Sequence, residues 1–278
     1  MVMETKCYLC GGRTEKLFEK EKADYARCTI CGLMFVSSGT GDIENRYREK
    51  DSGRQGNLLG SECDRMIKRM KYRLSIVGRY TDATPNKVRQ NKGRLLDIGS
   101  SRGDFVKVAS DAGWDCTAVE LSKRDCDYIR NELKIKAVDK DLTEINFPDE
   151  YFDAITLWHV FEHFSDPLKE LKEIYRILCK DGVLCLEVPN IDSPVYRLKG
   201  KNWKYINNEH LYYYNKKTIR VISEAAGFGI EYITDISGLN WWGEHATVKV
   251  VLHGVARKLS IGDHIVAVLK KQSHPKSS

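Results

Sequence analysis

Three groups of residues in this chain have the types and spacing to do chemistry. Cys7-Tyr-Leu-Cys10-Gly11 and Cys28-Thr-Ile-Cys31-Gly32 form two matching knuckles, spaced Cys-x2-Cys-x17-Cys-x2-Cys. Four thiolates satisfy tetrahedral zinc and leave no open position, so the spacing predicts a structural ion held by Cys7, Cys10, Cys28 and Cys31. Disulfides are the other reading of such cysteines. They need oxidising surroundings, to which nothing else in the chain points. The second group is Asp97-Ile-Gly99-Ser100-Ser101-Arg-Gly103. Its glycines allow close backbone approach, and free N–H groups where a helix starts offer hydrogen bonds to a polar ligand. The third is His159-Val-Phe-Glu162-His163, together with His210 in Asn208-Glu-His-Leu-Tyr-Tyr-Tyr. Imidazoles are suited to moving a proton or holding a metal.

The elements that must position these groups follow from the apolar pattern. Leu95, Leu96 and Ile98 make a short run suited to a buried parallel strand, which breaks at Gly99. A helix begins near Gly103 with Phe105, Val106 and Ala109. Further strands are expected at 114–121, 136–139, 152–158, 183–188, 230–233 and 264–269. Helices are expected at 123–133, at 167–179 with Asp166 as cap and Pro167 at its first position, and at 217–226, ended by Gly227. An Asp181-Gly182 turn precedes the fifth strand. Alternation of this kind predicts an α/β fold: a Rossmann-like, mostly parallel seven-stranded sheet with helices on both faces, plus a small amino-terminal zinc ribbon. Met66, Met70, Leu74 and Val77 recur at helical spacing before it. Ser37 to Asp42 reads as a linker and Thr81 to Gly93 as a loop. The expected division is 1–40 zinc ribbon, 41–92 linker and helical segment, 93–273 main domain and 274–278 disordered tail.

From about residue 60 to 271 the chain resembles the class I S-adenosyl-L-methionine (SAM) methyltransferases, especially a branch with an amino-terminal zinc ribbon. The resemblance rests on several motifs in order. They are the glycine turn, Glu120, Asp141, the Phe152-Asp-Ala strand leading to Glu162-His163-x-x-Asp166-Pro167, and His210-Leu-Tyr-Tyr-Tyr followed by Ala226-Gly-Phe228. The family turn is Asp-x-Gly-x-Gly-x-Gly; here Ser101 stands at the middle glycine. The resemblance implies that Asp97, Gly99 and Gly103 border the methionine portion of SAM. Glu120 would then hold the ribose, and Asp141 with Leu142 the adenine. Ser100, Ser101, Leu121 and Trp158 complete the expected cofactor set. The leading reading is then methyl transfer to a small-molecule or carbohydrate-type acceptor at a hydroxyl. Removing that proton suits histidine, which makes His159, His163 and His210 the candidate bases. Trp203, Tyr212 and Tyr213 are expected to line the acceptor pocket or to pack in the core.

Two rivals follow from the same residues. His-x-x-Glu-His matches a metalloprotease pattern that needs a helix, yet a β-type run precedes it here. A related stretch, with Glu first, holds a divalent ion in methyltransferases of catechol-like or RNA hydroxyls. The alternative is therefore a metal-assisted RNA or phenol O-methyltransferase, or a non-catalytic zinc-ribbon binding protein. The net charge of +6 is mild, and its excess between about Arg46 and Arg94 lacks interleaved aromatics, so nucleic acid is not the favoured partner. No secretory signal and no membrane-length apolar run are present, and the nine cysteines are used as in a reducing compartment. The expected location is cytoplasmic.

Overall fold

A computed structural model describes residues 6–38, 61–81, 92–207, 209–236 and 262–272. Most of the expected linker and loop, Asn208, the whole carboxyl-terminal tail and parts of the basic stretch lie outside the described residues. The strands are β1 (Thr14–Lys20), β2 (Ala23–Cys28), β3 (Met34–Ser38), β4 (Arg94–Ile98), β5 (Asp115–Val119), β6 (Lys136–Val138), β7 (Phe152–Trp158), β8 (Leu178–Pro189), β9 (Tyr212–Tyr213), β10 (Phe228–Ile236) and β11 (His264–Lys271). The helices are α1 (Ser61–Thr81), α2 (Asp104–Asp111), α3 (Lys123–Asn131), α4 (Pro167–Ile177), α5 (Pro194–Lys199) and α6 (Lys216–Ala225). Among these residues no helix is long and apolar enough to cross a membrane.

Seven strands form one sheet in the order β10-β11-β8-β7-β4-β5-β6, and β1-β2-β3-β9 form a second. The pairs β4–β5, β4–β7 and β5–β6 are parallel. This is the expected Rossmann-like sheet. All seven residues of β7 are buried, the unalternating pattern of a strand covered on both faces. The largest departure is at β8, which runs from Leu178 through the expected Asp181-Gly182 turn. Gly182 serves close packing there, since a Cβ would meet Leu178 Cδ1 at 2.8 Å. The preceding helix accordingly stops at Ile177.

The backbone divides into two compact units. One comprises Met1–Ile43, His159–Leu168 and Leu186–Ala267; the other Glu44–Trp158, Lys169–Cys185 and Val268–Ser278. In the first, the cysteine knuckles do not stand alone. Strand β3 pairs antiparallel with β9 through Met34–Tyr213 and Phe35–Tyr212. Ala23, Tyr25 and Met34 share a core with Ile191, Trp203, Ile206 and Tyr213. In the second unit, α1 packs against α2, burying Met70 and Val77 as their helical spacing requires.

Candidate functional site

The glycine turn of the second unit is a strand-to-helix switch in which nearly every polar group has a partner. Gly99 leaves β4 at φ 68°, Ser101 follows at φ 48°, and Gly103 precedes α2 at φ 80°. The amides of Gly99 and Ser100 donate to Val119 O at 2.8 and 3.2 Å, and Gly103 N donates to Ser100 O at 2.9 Å. Glycine is demanded at 103 twice over, because a Cβ would also sit 2.8 Å from Ile129 Cγ1 and Leu133 Cδ1. No side chain caps α2 there. Ser101, in place of the family glycine, takes the left-handed conformation at a cost of roughly 1–2 kcal/mol. Its amide donates to Glu120 Oε2 at 2.7 Å, and Ser122 N donates to Glu120 Oε1 at 2.9 Å. The carboxylate at the end of β5 therefore pins the turn from the neighbouring strand. Burial raises its pKa, against these amide bonds.

Asp97 lies buried on β4, where its Oδ1 accepts from Thr156 Oγ1 at 2.5 Å and its carbonyl from Ser100 Oγ at 2.7 Å. Burial pushes its carboxyl up to about 7, the two hydroxyls and the charge of Arg73 opposing. Trp158 ends β7 with its ring edge-on to Phe105 and the Arg73 guanidinium 4.8 Å above it. Arg73, only 5% exposed on α1, and Thr156 carry no motif and were invisible to sequence reading. The available signal was an arginine on the apolar face of an amphipathic helix, in step with Met66, Met70 and Val77. Asp141 caps the short turn Leu142–Glu144, accepting from Thr143 N at 3.0 Å, and Leu142 is buried. Leu121 directly follows Glu120, half-buried.

In the first unit, the cysteines converge. Cys7 Sγ lies 3.6 Å from Cys31 Sγ and Cys10 Sγ 3.4 Å from Cys28 Sγ, with all four thiols free of disulfides. Gly11 and Gly32 adopt φ 67° and 82° to close the knuckles, and the amides of Ile30 and Cys31 point at Cys28 Sγ, each at 3.4 Å. Tyr8, between Cys7 and Cys10, donates its hydroxyl to Asp166 and accepts from Leu168 N. The knuckle thus grips the Glu162–Pro167 stretch.

The histidines follow from this frame. Phe161–His163 is a single 3-10 turn and His159 sits at φ 63°, so His159 and His163 do not share a helix face and the metalloprotease arrangement is absent. His159 and His163 fall instead into separate donor groups, one of His159, Glu187 and His264 and the other of Glu162, His163 and His210. His159 Nδ1 contacts Glu162 Oε1 at 3.3 Å and its Nε2 contacts Glu187 Oε1 at 3.1 Å. Burial opposes the charged ring, but the two carboxylates outweigh it and raise its pKa. His163 Nδ1 donates to Glu209 O at 2.8 Å. The carbonyl can only accept, so this fixes the proton on Nδ1. Burial drives His210 down to about 4, leaving a neutral ring whose Nδ1 has no hydrogen-bond partner. Its amide and that of Glu209 both donate to Asn207 Oδ1. Glu162 is held down at about 2 in spite of burial, by the hydrogen bond from His159 and the neighbouring imidazoles. Trp203 and Tyr213 are buried in the shared core, while Tyr212 packs on Tyr8. Glu187, Tyr205 and His264 had no sequence signal.

A family model described as a methyltransferase domain matches residues 66–233. The chain belongs to that family, and its sheet is the Rossmann-like methyltransferase fold. A ubiquinone/menaquinone biosynthesis C-methyltransferase of Proteus mirabilis is 22% identical over 211 residues, covering 65% of this chain and 83% of the relative. A demethylmenaquinone methyltransferase of Thermus thermophilus is 28% identical over 104 residues, 34% of this chain and 47% of the relative. An uncharacterized methyltransferase of Bacillus subtilis is 30% identical over 95 residues, 32% of this chain and 38% of the relative. The chain thus spans less than half the length of the latter two. A solved SAM-dependent methyltransferase from Archaeoglobus fulgidus shares the fold at a TM-score of 0.53 and 23% identity, over 74% of this chain and 94% of that one.

Proposed function

We propose that the chain is a SAM-dependent methyltransferase acting on a small-molecule or carbohydrate-type acceptor at a hydroxyl. The observation that carries the reading is the glycine turn pinned by Glu120, with uncapped α2 amides beside it. SAM supplies a methyl already activated on a sulfonium, so the protein's task is mainly positioning. Glu120 would accept from the ribose hydroxyls, sharing oxygens that now hold the Ser101 and Ser122 amides. Asp97, with Gly99, Ser100, Ser101 and Gly103, would border the methionine portion. Asp141 and Leu142 would meet the adenine, with Leu121 and Trp158 at its flanks. His210, neutral and buried, would accept the acceptor's proton. His159, with both ring nitrogens already engaged by Glu162 and Glu187, suits that role less. Calorimetry with S-adenosylhomocysteine tests the reading, and a folded protein that fails to bind it would end it.

The four converging thiols would hold one structural zinc. Tetrahedral Zn–S bonds of ≈ 2.3 Å place sulfurs about 3.8 Å apart, close to the separations found here. Metal analysis should give one cysteine-bound equivalent, lost in Cys28→Ser/Cys31→Ser. A preparation with these cysteines joined as disulfides under reducing conditions would sink it.

A metal-assisted O-methyltransferase is the second reading. It is favoured by the buried and partnerless Glu162 Oε2 and His210 Nδ1, which lie in one donor group with His163. Chelator inhibition with the cysteine-bound zinc retained would promote it.

A further inference from the structure

We propose that His159, Glu187 and His264 form a second, separate site for a divalent transition ion, of the two-histidine-one-carboxylate kind. Their donor atoms lie within 4.8 Å of one another. Glu187 Oε1 stands at the centre, 3.1 Å from His159 Nε2 and 3.0 Å from His264 Nδ1. Ligands on tetrahedral zinc at N and O distances of ≈ 2.0–2.1 Å stand about 3.3 Å apart, so a small outward shift admits the ion.

The second observation is His264 Nδ1 itself. The residue is 2% exposed, and its Nδ1 has no polar neighbour beyond the Glu187 Oε1 contact at 3.0 Å among the described residues. With the ring proton on Nε2, toward Tyr205 Oη, Nδ1 presents a lone pair beside this carboxylate oxygen, as two ligands of one ion require. The outer partners are also in place. His264 Nε2 meets Tyr205 Oη at 2.5 Å and His159 Nδ1 meets Glu162 Oε1 at 3.3 Å. Metal-binding histidines characteristically have the far ring nitrogen held in this way, which orients the ring and sets its tautomer. Tyr205 further stacks on His159 with planes 10° apart. The left-handed backbone of His159 is strain of the kind that concentrates at functional sites.

Three protein ligands leave tetrahedral zinc one open position. His159, whose side chain is 22% exposed, is where the group reaches solvent, so a water or an oxygen donor would complete the shell there.

The test is metal stoichiometry of the full chain, stripped and then titrated with zinc or cobalt under reducing conditions. Wild type should bind two equivalents. Cys28→Ser/Cys31→Ser should keep one, seen with cobalt as absorption lacking a thiolate charge-transfer band. Glu187→Gln and His264→Gln should lose that equivalent and keep the thiolate-bound one, whereas His163→Ala should keep both. Tyr205→Phe removes only the outer hydroxyl and should weaken the second equivalent by roughly 10–100-fold. It also carries the test should Glu187→Gln fail to fold. A single equivalent in wild type, a second one lost in His163→Ala, or unchanged affinity in Tyr205→Phe would each overturn the proposal.

Discussion

In the second unit, the glycine turn is held within the short run from Asp97 to Gly103, by the Val119 carbonyl and Glu120 carboxylate at the end of β5 and by Thr156 on β7. In the first unit, the histidine cluster draws side chains from positions 159, 162, 163, 187, 205, 210 and 264. The turn works through backbone amides and tolerates Ser101 where the family has glycine, because the Glu120 bond holds the strained residue in place. The cluster works through four buried side chains, Glu162, Glu187, His210 and His264, beside the half-buried His159, His163 and Tyr205, and an unpaired polar atom in the buried part costs free energy. The contrast teaches which part is generic and which particular. A turn of this kind can recognise the same cofactor in many proteins, whereas an irregular set of imidazoles and carboxylates would, under the proposed function, suit one acceptor chemistry. Substitutions in the two regions should therefore separate: turnover on one side, cofactor affinity on the other.

The largest effect is expected at His210. His210→Ala should lower turnover by roughly 10²–10⁴-fold with SAM affinity nearly intact, the range of a general base. His159→Ala and His163→Ala belong beside it, and near-normal turnover in folded His210→Ala would remove the contrast. In the turn, Glu120→Ala deletes a charged acceptor worth roughly 1.5–3 kcal/mol per bond. Calorimetry should show affinity reduced at least tenfold, and unchanged binding would mean the ribose lies elsewhere.

Asp97 gives a pH test of the same division. Its folded pKa, about 7, lies above the ordinary carboxylate value, so the folded chain holds this proton more tightly than the unfolded one. The stability it lends is complete below the unfolded value and lost as pH rises through about 7. A cationic ligand prefers the anion, so SAM affinity should rise over the same interval, by up to about tenfold per pH unit below 7. Asp97→Asn should flatten the contribution of this group to melting and to binding between pH 5 and 8; a pH dependence identical to wild type would assign it to another group. The smallest effect belongs to Ser101→Gly. Release of left-handed strain, partly offset by a looser unfolded chain, should stabilise by up to about 1 kcal/mol. A thermal midpoint that falls would show that the serine side chain contributes more than its backbone strain removes.

Much of the second unit was legible beforehand because its signals are local. The apolar run of β4, the break at Gly99 and the acidic end of β5 lie within a short stretch, and the strand–helix alternation implied the parallel sheet. The helix at 167–177 was announced by Pro167. The extension of β8 through Asp181-Gly182 was not, because an Asp-Gly pair reads as a turn whether or not the backbone stays extended.

By itself the sequence determined the knuckle spacing, the strand–turn–helix and the identity of the carboxylate that pins it. These depend on covalent spacing and backbone conformation over a few residues. Only the tertiary structure decided that Thr156 reaches Asp97 across 59 positions, that Tyr8 of the first knuckle holds Asp166, and that β9 closes the sheet begun by β1. It also decided the fate of the histidines, setting His159 between Glu162 and Glu187 and leaving His210 neutral. The physical reason is that a buried ionisable group takes its charge and partners from whatever packing brings within hydrogen-bond reach. In this chain those neighbours come from strands and turns far apart in the sequence.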